Sequence, residues 1–99
     1  MPEYLIRTIA GPGSWPAIPK SRLRGVLEPR GYGSAVVDGP GDLRLMLGRC
    51  EIVFSAEDAG WQVWFEGDTA GHGTDALVSQ VARQVQEFTG DHIEWIRYD

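Results

Sequence analysis

Only one long stretch of this chain repeats its apolar residues at the period of an α-helix, and that limits the folds open to it. Over residues 74–89, Leu77, Val78, Val81, Ala82, Val85 and Phe88 make one continuous stripe, while Ser79, Gln80, Arg83, Gln84 and Glu87 cover the rest. Thr74 or Asp75 supplies an N-cap, and Gly90 stands just past the end. A single amphipathic helix must bury its stripe against something else, and the rest of the sequence offers strands.

Residues 4–9 are rich in β-branched and aromatic types and read as a first strand. The run Ala10–Pro19, with three prolines and two glycines, reads as an extended loop. Over 21–28, Leu23, Val26 and Leu27 have helical spacing, Ser21 can cap the start and Pro29 the end, and Gly25 weakens the segment, so a short helix is expected there. Ser34–Val37 reads as a short strand. Leu43, Leu45 and Leu47 alternate with Arg44 and Met46, and Cys50–Phe54 continues the apolar character. Gly48 between these runs reads as a β-bulge in one long strand, the alternative being the first position of a tight turn. Residues 56–60 suit a hairpin connection, and the returning strand 61–66 places Trp61, Val63 and Phe65 on one face and Gln62, Trp64 and Glu66 on the other. Residues 91–98 read as a last strand. The expected architecture is therefore α+β and two-layered: a mainly antiparallel sheet of four to five strands under one long helix, with a short helix near 21–28.

At 99 residues the chain is one domain, 1–99, and its 42% hydrophobic and 23% charged content is that of an ordinary globular protein. No apolar run approaches the length of a membrane helix. The start Met1-Pro-Glu-Tyr lacks the basic and apolar regions of a signal peptide, which gives a cytoplasmic expectation. A single cysteine, Cys50, excludes an intramolecular disulfide and a zinc site built on several thiolates.

Charge is divided unevenly. Residues 1–50 hold seven basic and four acidic side chains, whereas 51–99 hold two basic and ten acidic. Between Arg49 and Arg83 there is no Lys or Arg, only Glu51, Glu57, Asp58, Glu66, Asp68 and Asp75. This is either a solvated face that keeps the protein soluble or a surface matched to a basic partner. Phosphates would be repelled by it, so nucleic acid is not the expected partner. Arginine outnumbers lysine eight to one, which a composition bias explains as well as planar recognition of anions does.

Catalytic candidates are weak. The loop Gly67–Gly73 fits neither the P-loop nor the dinucleotide spacing, and Asp68 and Asp75 would repel a phosphate. His72 in that loop, near those two acids, reads as a solvated histidine rather than a ligand or base, and His92 is equally uninformative. Cys50 stands in an apolar strand run, where a buried thiol is the ordinary role. Ser14, Ser21, Ser34, Ser55 and Ser79 all lack a nucleophile-elbow setting. No enzyme activity, metal or cofactor is expected.

The tryptophans say more. Four in 99 residues exceed what a small core needs, and Trp is enriched at the buried centres of protein interfaces. Trp61 and Trp95 read as core, while Trp64 shares its face with two polar residues and Trp15 lies in the Pro-rich loop. The bland alternative is that residues 10–40 cover that sheet face and bury Trp64 inside the monomer. In size, charge and α+β pattern the chain resembles the small acidic immunity proteins that neutralise bacterial toxins. That resemblance implies an inhibitor of a basic protein such as a nuclease. The partner-binding residues expected from the pattern are Trp15, Glu57, Asp58, Trp64, Glu66 and Asp68, on a monomer or weak homodimer. The second reading is a small-molecule-binding or enzymatic domain with an aromatic pocket lined by Trp15, Tyr32 and Trp64, and His72 serving chemistry.

Overall fold

The computed structural model describes residues 2–9, 15–71 and 73–98. These residues include six strands: β1 (Glu3–Thr8), β2 (Ala35–Val36), β3 (Leu43–Leu47), β4 (Cys50–Glu57), β5 (Gly60–Gly67) and β6 (Ile93–Arg97). A 3-10 turn, Lys20–Arg22, runs into the short helix α1 (Leu23–Leu27), and the long helix is α2 (Thr74–Thr89). The strands form one antiparallel sheet in the order β2-β3-β4-β5-β1-β6. The α+β, two-layer expectation therefore holds, with one strand more than expected.

That extra strand comes from Gly48. It does not bulge a single long strand. Leu47 pairs with Cys50, so Gly48-Arg49 is a two-residue hairpin turn between β3 and β4. Gly48 has φ of 61° and Arg49 a negative φ, the II′ pattern that matches the twist of antiparallel strands and needs glycine at its first position. Gly60 is constrained differently. It opens β5 beside β1, and a Cβ there would run into the carbonyl oxygen of Ile6.

The period-two alternation divides the sheet residues into two faces. One face carries Tyr4, Ile6, Leu45, Ile52, Phe54, Trp61, Val63 and Phe65, and both helices pack on it. From α2 come Leu77, Val78, Val81, Ala82 and Val85, and from α1 come Leu23, Val26 and Leu27. Each large aliphatic side chain so buried contributes about 1.5–3 kcal/mol, which is why α2 holds its place without a side-chain N-cap. Gly73, not Thr74 or Asp75, takes the cap position. The two expected capping side chains are turned to the Tyr4 hydroxyl instead, Thr74 Oγ1 at 2.7 Å and Asp75 Oδ1 at 2.5 Å, and Arg97 donates to the same Asp75 oxygen at 2.9 Å. Ser21 likewise does not cap; it lies inside the 3-10 turn, and Arg22 holds the N-cap position of α1. Gly90 closes α2 as expected, its N–H donating to Gln86 O.

Gln84 ties the helices together. Its buried amide donates to the carbonyls of Val26 and Glu28 at 2.7 and 2.8 Å, while its oxygen accepts from the Arg30 N–H at 2.9 Å. No helix among the described residues is long and apolar enough to cross a membrane.

Candidate functional site

The face of the sheet turned away from the helices carries the alternate residues. Cross-strand pairing arranges them in rows. Arg44, Val53, Trp64 and Glu3 form one row across β3, β4, β5 and β1. Ser55, Gln62, Leu5 and Ile96 form the next, across β4, β5, β1 and β6. Met46, Glu51 and Glu66 lie on the other side of the first row, and Arg7 with Glu94 at the β1–β6 end.

Trp64 sits near the middle of this face and is half-buried. Its neighbours Val53 and Leu5 are buried yet stand outside the core cluster on the helix side. The face thus has an apolar floor of its own. The turn around Gly41 also reaches it, approaching Val53 so closely that a Cβ on Gly41 would overlap the valine methyl. Residues 15–27 do not cover it. Trp15 packs against Trp61 with ring centroids 5.2 Å apart and planes tilted by 53°, and Ile18, Leu23, Val26 and Leu27 join the core, so that segment lies on the helix side.

A polar network fixes the rim of Trp64. Its indole N–H donates to Glu66 at 2.8 Å. Glu66 also accepts from Arg44 at 3.3 Å, and Arg44 reaches across to Glu51 at 3.2 Å and to the Pro40 carbonyl at 3.3 Å. Glu51 and Glu66 are directly opposed on β4 and β5, where two like charges would repel. Arg44, its side chain 8% exposed, bridges them. The Trp64 hydrogen bond first, and then Arg44, hold the Glu66 carboxyl below the usual carboxylate range. Among the described residues, five carboxylates on this face (Glu3, Glu51, Glu57, Glu66, Glu94) stand against two arginines, both paired with acids.

The expected partner-binding residues fall in separate places. Trp64 and Glu66 are neighbours on the open face. Glu57 and Asp58 stand exposed at the β4–β5 hairpin tip. Asp68 lies past the opposite end of β5, roughly 25 Å away at about 3.3 Å per residue, its carboxylate accepting the Ala70 N–H at 2.9 Å. Trp15 is on the other layer, its indole N–H donating to Glu57 O at 2.7 Å. The expected aromatic pocket does not form from its three named residues either. Trp15 and Trp64 lie on opposite faces, and Tyr32 stands 41% exposed in the turn after α1. His72 and Ser14 lie outside the described residues. Among those described, no cluster of three or more His, Cys, Asp or Glu could hold a metal ion.

Sequence reasoning missed Leu5 and Val53, which the alternation of β1 and β4 already assigns to the Trp64 face. It also missed Arg44, whose place between two opposed glutamates depends on strand order. Comparison with protein-family models, with curated proteins and with solved structures finds no match for this chain.

Proposed function

We propose that this chain is a protein-binding module that docks a basic protein on the open face of its sheet, and that it acts as an inhibitor of that partner in the manner of an immunity protein. The observation that carries the reading is Trp64, a half-buried tryptophan on an apolar floor beside Glu3 and Glu66, with the helices packed on the other side of the sheet. An aromatic anchor of this kind is where binding energy concentrates in protein interfaces, and its rim matches a positively charged partner. The indole N–H is already bonded to Glu66, so the ring is held ready before any partner arrives.

The test is a paired capture from the source cells' lysate with the wild-type protein and Trp64→Ala, each checked by circular dichroism. A basic protein held by the wild type, released by salt and lost from the folded Trp64→Ala variant supports the reading. Equal retention by both proteins, or global unfolding of the variant, overturns it.

A further inference from the structure

On the opposite layer, a cleft of about 250 Å³ opens between α1 and the C-terminal half of α2. Its chemistry differs from that of the sheet face. Arg22 and Arg30 flank it, and Phe88, 37% exposed, forms part of its wall. Arg22 lies over the Phe88 ring at 5.1 Å and, among the described residues, has no carboxylate partner. Arg30 is held to Glu87 at 2.6 Å through one of its nitrogens, which leaves further donors on the same guanidinium.

Gly25 lines this cleft, one helical turn beyond Arg22. A glycine in a helix is unfavourable relative to alanine, and it is normally explained by crowding or by a positive φ. Neither applies here. A Cβ on Gly25 would meet nothing within 4 Å, and its φ is not positive. The missing side chain leaves bare helix backbone facing open space, beside an arginine already positioned by stacking on an aromatic ring. Bare backbone beside an aromatic ring suits the face of a flat group, and two arginines against one glutamate favour an anion.

We propose that the α1–α2 cleft binds a small planar carboxylate, its ring lying on the backbone at Gly25 and against Phe88, its carboxylate on the Arg22 guanidinium. Arg22 supplies the fork that matches a carboxylate. Arg30 offsets the charge of Glu87 at the far wall. The cleft is slightly smaller than the usual range of ligand pockets, which fits a ligand of one or two rings. This site is independent of the sheet face and does not rest on the docking reading.

The experiment is a titration of the full chain with indole-3-acetate, followed by amide chemical shifts. The neutral indole-3-acetamide is run in parallel. Saturable shifts centred on Gly25, Val26 and Phe88 are expected, with a dissociation constant on the order of 1 mM for a ligand of roughly a dozen non-hydrogen atoms. Arg22→Gln, with unchanged melting temperature, weakens binding about tenfold, and Gly25→Leu abolishes it by filling the cleft. No saturable shift at ten times that concentration, or equal binding of the amide, overturns the proposal. So does unchanged affinity in folded Arg22→Gln.

Discussion

Replacing Trp64 by Phe keeps a ring on the sheet face but removes the indole N–H that Glu66 accepts. That bond is the largest influence lowering the Glu66 pKa, so the variant's carboxyl midpoint should rise toward the ordinary glutamate range. The sign for stability follows. A carboxyl whose folded pKa is lowered contributes stability that is complete above its unfolded pKa and is lost as pH falls through the folded value. In Trp64→Phe that contribution should be smaller and its loss complete at a higher pH, while the onset, set by the unfolded chain, stays where it was. A carboxyl-carbon NMR titration of Glu66 reads the midpoint directly, and an unmoved midpoint would remove the indole from the account. Cys50 gives a second prediction. Burial first, and the negative charge of Asp68 second, push its thiol pKa up. It should stay inert to Ellman's reagent in native protein at mildly alkaline pH and react only as urea unfolds the chain. Its burial was legible in the apolar run of β4. The partners of Thr74 and Asp75 were not, because a capping residue and a residue reaching a tyrosine seventy positions away look alike in sequence.

At the scale of elements, two glycines make opposite predictions. Gly60→Ala should destabilise the protein by more than about 1 kcal/mol, since its methyl would enter the β1 backbone at Ile6. Gly25→Ala should stabilise it by roughly 0.5–1 kcal/mol, because α1 gains helix propensity and the new methyl meets nothing. Urea denaturation of both variants tests the pair, and the same sign for both would contradict the packing described. Neither outcome can be read from the sequence, where Gly25 is a weak point in a short helix and Gly60 the end of a loop. What the sequence did carry was periodicity: the α2 stripe, and the alternation that sets Trp64 apart from Trp61. A glycine between two apolar runs carried less. Bulge and II′ turn both favour glycine at Gly48, and only the pairing of Leu47 with Cys50 separates them. The path of residues 15–19 was also hidden, because Trp15 is placed by contact with Trp61 and not by any local pattern.

Across the whole molecule, the uneven charge of the sequence becomes an uneven charge of the surface. Four of the nine basic residues, Lys20, Arg22, Arg24 and Arg30, cluster around α1 on the helix layer. The acids of β4 and β5 line the sheet face and the hairpin tip. Such a molecule orients in the field of a charged partner before any contact forms, and long-range orientation acts on the association rate. The tip residues Glu57 and Asp58 are exposed at the end of the hairpin, away from the row centred on Trp64, so under the proposed docking they would contribute field more than contact. Reversing both to lysine should slow association with the captured basic partner by roughly tenfold at low salt and leave dissociation nearly unchanged. The difference between variant and wild type should shrink as salt shortens the Debye length. Trp64→Ala should behave in the opposite way, speeding dissociation at every salt concentration. Surface plasmon resonance at two ionic strengths separates the two effects. Faster dissociation of the tip variant would place Glu57 and Asp58 inside the contact. An unchanged association rate would remove them from the steering surface altogether.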